Sequence, residues 1–327
     1  MRRPLPELLT KNTRLPVIAA PMFLVSGVDL VSAACRAGVI AAFPAPNCRK
    51  LEDLDAWMTH FNAMAAESPT AAPWAANLVV HRSYDRRAQE LELVVKHRAP
   101  LVITALGSPR ELVESVHGYG GLVFADVISP RYAKKAIDAG VDGLVLVGAG
   151  AGGHTGSITG FAFVDAVRAI WDGLVVLGGG IASGRGVRAA QTLGADLAYV
   201  GTRFVATRES MAAPEYKQML VEATAEDLVL SDGITGVNAS WLKASLARTG
   251  RDPSSPKAKL DFGGNPLAEG KAWRDVWSAG QGVGAIRAVQ PVIEVVDELA
   301  AEYADAVRVE RAGDAWTARM TPERGNR

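Results

Sequence analysis

Residues 143–160 read GLVLVGAGAGGHTGSITG, which sets one imidazole, His154, at the end of a glycine loop behind an apolar, β-branched run. An imidazole with a pKa near the ordinary ~6.5 can take a proton from carbon or hold developing negative charge near neutral pH. The chain has five histidines. Three of them, His60, His97 and His117, fall within or at the ends of helix-patterned segments, and His81 follows a strand-like run as a lesser rival. His154 is therefore the one an active-face loop would present. A turn histidine bonded to backbone is the plain alternative; glycines flanking it weigh against that, because packing alone does not need such freedom.

Two further loops could hold an anion. LGGGIASGRG (177–186) ends a strand-like run and opens a helix, and YVGTRF (199–204) ends the next run. Glycines let backbone N–H groups approach an anion, and a helix N-terminus adds partial positive charge, so the pair forms a phosphate cup to which Thr202 could add a hydroxyl. Tight turns needing positive φ are the plainer explanation for either loop alone; finding both together weakens it. Gly148, Gly150 and Gly153 spell GxGxxG, the dinucleotide fingerprint. Its context is wrong: no helix pattern opens at Gly153, and no acidic residue ends the next strand. No HxxxH, HExxH or carboxylate cluster with ligand spacing stands at these strand ends, and no GxSxG elbow occurs, so no metal is expected.

The elements that must position these loops are short apolar runs at 15–21, 38–44, 73–80, 99–106, 121–128, 141–148, 173–180 and 196–204. They are near-continuous rather than alternating, as strands covered on both faces should be, which predicts a parallel sheet. Helix-period segments lie between them, at Leu51–Met64, Arg86–Arg98, Pro109–His117, Arg131–Ala139, Phe163–Ile170 and Gly186–Leu193, with start signals at Ser108-Pro109 and Ser129-Pro130. Eight alternations predict an α/β fold, a (β/α)8 TIM barrel, with a doubly wound open sheet as the alternative. The alternation fails after Phe204. Residues 207–275 read as an inserted, mainly helical cap or substrate domain, and 1–206 with 276–327 as the barrel. A helix pattern over Gly284–Val307 closes the barrel, and the residues after Ala312 read as a polar tail.

Composition narrows the function classes. With 327 residues, 49% hydrophobic and 21% charged, the chain can bury a large core. Lys+Arg and Asp+Glu both number 35, so no net field recruits nucleic acid or an anionic membrane; a small-molecule partner fits better. Two cysteines, Cys35 and Cys48, make neither a disulfide framework nor a CxxC metal site. With no signal-like h-region and no apolar run of ~20 residues, a cytoplasmic protein is expected.

Taken together, APMFLVSG, AANL, AGGHTG, GGGIASGRG, GTRF and, at 277–284, WSAGQGVG resemble the nitronate monooxygenase (2-nitropropane dioxygenase) family, over nearly the whole chain and in matching order. The resemblance implies an FMN-binding barrel with a cap. The backbone around Ala20, Pro21 and Met22 would face the flavin N5 edge, and Asn77 would bond the ring or ribityl chain. Ala151 and Gly152 would lie against the ring, Gly179, Gly180, Gly201 and Thr202 would hold the phosphate, and Gln281 would edge the cofactor from the cap side. His154 would be the catalytic base or substrate-binding residue in oxidation of alkyl nitronates by O2 to a carbonyl compound and nitrite. Asp126 stands among the cofactor contacts, at a position where some relatives carry lysine, so the cation is missing here. NAD(P)H-dependent reductases of quinones or enoyl thioesters share these loops. A homodimer is compatible with the resemblance.

Overall fold

A computed structural model describes residues 4–258, 272–314 and 316. Its strands are β1 (Val17–Ala19), β2 (Ile40–Pro44), β3 (Trp74–Val79), β4 (Leu101–Ala105), β5 (Leu122–Val127), β6 (Gly143–Val147), β7 (Gly153–His154), β8 (Leu174–Gly178), β9 (Leu197–Val200), β10 (Leu228–Ser231) and β11 (Ala239–Leu242). Eight of them close a parallel barrel in the order β1-β2-β3-β4-β5-β6-β8-β9. β1 completes the ring by pairing with both β2 (Ile18↔Ile40) and β9 (Val17↔Ala198), which rules out the open sheet. Each of the eight predicted runs holds one barrel strand.

Alternation along the strands splits the core in two. Side chains such as Ile18, Ile40, Ala75, Ile103, Phe124, Val145, Val176 and Leu197 fill the barrel itself, joined from below by Leu9 of the short helix Glu7–Thr10. Their neighbours along each strand, among them Val17, Ala41, Ala76, Val102, Val123 and Val175, face outward under the helices. The six predicted helices are all present, and Val28–Arg36, which the periodicity passed over, adds one between β1 and β2. Ser129 and Ser183 cap their helices through Tyr132 N–H (3.5 Å) and Gly186 N–H (3.1 Å).

The final helix spans Val292–Ala312 and starts later than the pattern suggested. Pro291 serves as its N-cap, where a missing N–H costs nothing, and Gln281–Ala285 forms a 3-10 turn instead. This helix lies on the barrel helix Gly184–Leu193 so closely that a Cβ on Gly184 would stand 2.1 Å from the Leu299 carbonyl oxygen.

The segment expected to be mainly helical is mixed. It holds the helices Pro214–Glu222 and Lys243–Thr249, but also β10 and β11, which form an antiparallel sheet with β7. NASWLKASLA (238–247), within the segment read as mainly helical, is half strand: Ala239–Leu242 pairs with both neighbours, and the helix begins at Lys243. Four-residue strands leave too short an alternation to stand out from a helical pattern. Residues 259–271 of the expected cap lie outside the described residues. Among the described residues no helix is long and apolar enough to cross a membrane.

Candidate active site

The carboxyl ends of the barrel strands open into one cavity of about 1700 Å³. Its floor is the next inward layer above the barrel core. Because Phe124, Ala75 and Leu197 point inward, so do the residues two further on, Asp126, Asn77 and Tyr199, and all three line the cavity. Asn77 Nδ2 donates to the Ile103 carbonyl at 3.0 Å, which leaves its amide oxygen to accept. Asp126 Oδ1 and the Tyr199 hydroxyl are buried without a hydrogen-bond partner. In register, Asp126 lies opposite the apolar Val145 of β6. With no cation close by, burial pushes its carboxyl up to about 7. Burial, and then repulsion from an ionised Asp126, carries the Tyr199 phenol well above 10.0. Near pH 7 the floor is thus polar, with the Tyr199 phenol neutral and the Asp126 carboxyl about half ionised.

One wall is the main chain of Gly178, Gly179, Gly180, Ile181 and Ala182 after β8, together with Gly201 and Thr202 after β9. The glycines here serve different ends. Gly179, at φ +123°, is forced: a Cβ would stand 2.8 Å from the Ala149 carbonyl oxygen. Gly180, at φ +71°, faces open space with nothing within 4 Å of a Cβ, so its bareness keeps the wall accessible. Several amides are already engaged, Gly180 N–H with the Gly150 carbonyl (3.1 Å) and Gly184 N–H with Glu302 Oε2 (2.7 Å). Thr202 Oγ1 accepts from Gly280 N–H at 2.9 Å, which leaves its own proton to donate.

Gly152 and Gly150 line the cavity, yet the close approach they permit is to protein. A Cβ on Gly152 would stand 2.7 Å from Gly280 N, and one on Gly150 2.9 Å from Gln281 Oε1. The AGGHTG loop is therefore clamped by the 277–284 segment, with Gln281 N–H donating to the Gly150 carbonyl at 2.9 Å. Gly152→Ala is expected to destabilise the protein by about 1–3 kcal/mol through overpacking. Gly180→Ala, with room for its methyl, should cost only the ~1 kcal/mol of its left-handed backbone. Thermal unfolding of the two variants side by side reads the difference; equal melting temperatures would show that the clamp yields.

His154 occupies β7, held edge-on to β11 by the Ala239↔His154 and Ser240↔Gly153 pairs, and lines the cavity. Thr155 fixes the exit, its N–H donating to the Asn238 carbonyl (3.0 Å) and its hydroxyl to the Gly148 carbonyl (3.1 Å). Burial pulls the imidazole down to about 4, so it is neutral across the physiological range. The other histidines have partners elsewhere: His60 meets Ser32, His97 meets Asp55, His117 meets Asp142, and His81 meets Ser83. None of these four lines the cavity.

Of the residues singled out in the sequence, Ala20, Pro21, Met22, Asn77, Asp126, Ala151, Gly152, His154, Gly179, Gly180, Gly201 and Thr202 all border this one space. Gln281 sits just behind it, between the cavity-lining Gly280 and Gly282. Tyr199 was missed, although its place two residues after inward Leu197 announced it. Arg49 and Arg86, also on the wall, gave no local signal.

The family model for nitronate monooxygenase matches residues 6–302. The chain belongs to the nitronate monooxygenase family. A nitronate monooxygenase of Neurospora crassa is 30% identical over 227 residues, covering 62% of this chain and 60% of its own length. The Mycobacterium tuberculosis protein Rv1533 is 32% identical over 235 residues, covering 66% of this chain and 62% of its own length. The chain thus spans less than two thirds of either relative. Among solved structures, nitroalkane oxidase from Streptomyces ansochromogenes superposes with a TM-score of 0.79 at 26% identity, covering 93% of this chain and 99% of that one. FabK from Thermotoga maritima gives 0.77 at 25% identity, covering 94% and 97%.

Proposed function

We propose that this member of the family is an FMN-dependent enzyme that oxidises alkyl nitronates, with O2 as oxidant, to a carbonyl compound and nitrite. The observation that carries the reading is His154 lining the same cavity as the bare main chain at the ends of β8 and β9. The residues present fit a flavin. Gly180 and Gly201 leave the wall open, Thr202 offers a hydroxyl proton to the phosphate, and Asp126, Tyr199 and Asn77 offer polar atoms to a ring. When bound, the flavin supplies the electron-accepting ring that the protein's own side chains lack.

The chain's own contribution is to bind, orient and desolvate. A base pulled down to about 4 is poorly matched to abstracting a carbon-bound proton at pH 7. Its neutral ring is well suited to donate one N–H to a substrate that is already an anion. His154 in this reading orients a preformed nitronate rather than ionising a neutral nitroalkane. In this reading the described residues of 207–275, whose strand β11 carries the His154 ladder, act as the substrate-side cap of the barrel built by the described residues of 1–206 and 276–327.

A second reading, reduction of quinones or enoyl thioesters by NAD(P)H on the same scaffold, is favoured by one observation: the cavity is large and its far wall carries Arg49 and Arg86. A curated relative from Mycobacterium tuberculosis, 26% identical over 249 residues and matched along 67% of its length, is named as a carboxyl-CoA dehydrogenase. Anaerobic titration of the purified yellow protein separates the two. Bleaching of the flavin by a nitronate alone supports the first reading; bleaching by NADH or NADPH, with no response to the nitronate, replaces it by the second.

A further inference from the structure

Arg49, just beyond the end of β2, and Arg86, at the start of the helix Arg87–His97 that follows β3, meet at one corner of the cavity. The Arg49 guanidinium lies over the Phe23 ring, 5.4 Å from its centroid, and its Nε and Nη2 are buried with no hydrogen-bond partner. Those two N–H groups form the side-on edge that grips two oxygens of a carboxylate or phosphate at once. Arg86 is pinned in place, its Nη1 donating to the carbonyls of Cys48 (2.8 Å) and Arg49 (3.1 Å), while its Nε also lacks a partner.

The corner is short of negative charge. Glu90 Oε1 lies 3.2 Å from Arg86 Nη2, but the same oxygen accepts the Tyr84 hydroxyl at 2.6 Å, and the carboxyl is fully buried. That burial pushes Glu90 upward and so opposes its charge. Desolvation, followed by repulsion from Arg86, draws Arg49 down. Two guanidinium groups held this way, with one disfavoured carboxylate beside Arg86, keep unfilled donors that an anion would satisfy.

Strand order says which molecule brings it. Arg49 follows β2 and Arg86 follows β3, two to four places around the eight-strand ring from β9 and β8, so this corner is set apart from the wall that those two strands form. A flavin mononucleotide has one phosphate, and the wall after β8 and β9 takes it in the function proposed above. The corner must then serve a second molecule. We propose that Arg49 and Arg86 form a separate binding site for a phosphomonoester group carried by the substrate or cosubstrate. A phosphomonoester fits better than a carboxylate, because Nε and Nη2 of Arg49 and Nε of Arg86 are all unfilled and its charge can reach two. The inference rests on the flavin reading for its choice of ligand, not for the site itself.

The phosphoryl group could arrive on a nicotinamide dinucleotide or on a thioester carrier, and paired probes distinguish them. The FMN-loaded protein is titrated calorimetrically with inorganic phosphate, with NADPH against NADH, and with coenzyme A against 3′-dephospho-coenzyme A. The expected result is that, in one pair, the member carrying the additional phosphomonoester binds at least tenfold more tightly than its partner compound and is displaced by phosphate. Arg49→Gln should abolish that tenfold difference with FMN content unchanged, and Arg49→Lys, which keeps the charge but not the fork, should restore part of it. The proposal is overturned if no probe binds the wild type, if Arg49→Gln changes none of the affinities, or if that variant loses FMN, which would give the corner to the cofactor. FMN content of the wild type, measured first, tests the flavin reading by itself, and the phosphate titration reads the corner whichever way that falls.

Discussion

Replacing His154 with alanine is expected to leave the flavin bound and to cut turnover of a nitronate at least ~100-fold, the low end of what a positioned acid, base or hydrogen-bond donor contributes. The flavin should stay because none of the groups that would hold it depends on this side chain; the ladder fixing β7 to β11 is made by backbone. Turnover should fall because the imidazole is the ionisable side chain that β7 presents to the cavity. The wild-type pH profile sharpens the prediction. A group held at about 4 stays neutral as pH falls from 8 to 5, so kcat/KM for a preformed nitronate should show no loss with pKa near 6.5. An acid limb near 6.5 that vanishes in His154→Ala would mean the ring is solvated, and would return it to the role of an ordinary base. Unchanged turnover in the variant would remove His154 from the reaction. Flavin absorbance of both proteins guards against a variant that merely fails to load.

The barrel was legible because its strands are buried on both faces, and a run such as GLVLV can be little else between helical segments. The site loops were legible because parallel strands leave their carboxyl ends on one side, so His154, Gly179 and Thr202, far apart in the chain, had to share one mouth. Less legible was what each glycine does. Gly152 looked like room for a ligand, whereas it makes room for Gly280; only the neighbour across the gap could tell the two apart. The same limit hid β7, a two-residue strand whose existence depends on β11 some 85 residues later, and it hid Arg49, whose unfilled edge is a property of its surroundings. Tyr199 was within reach: in DLAYVGTRF the inward register set by Leu197 and the glycine at 201 already pointed its ring into the mouth.

Asp126→Asn is expected to stabilise the flavin-free protein at pH 8 and to leave it unchanged or slightly weaker at pH 4. The wild-type carboxyl ionises near 3.8 in the unfolded chain and near 7 in the folded one. Between those values the folded state binds the extra proton, so its stability falls as pH rises through the window and is fully present only below about 4. The ceiling on that loss is about 4 kcal/mol, and water entering the open cavity should reduce it to about 2. Asparagine has the same shape and no proton to lose, so the penalty at pH 8 disappears. Urea unfolding of both proteins at intervals from pH 4 to pH 8 measures this directly: the two stability curves should separate progressively above pH 5. Parallel curves would show Asp126 to be ionised throughout, hence to have a cation that the floor of β3, β5 and β9 does not provide. The result also bears on chemistry. In a cavity that receives an anionic substrate, an ionised Asp126 beneath it would repel what His154 holds, whereas a protonated one offers a hydrogen bond. Acidification from pH 8 to pH 6 should therefore tighten nitronate binding in the wild type and leave Asp126→Asn indifferent, a contrast that steady-state KM for a preformed nitronate can resolve.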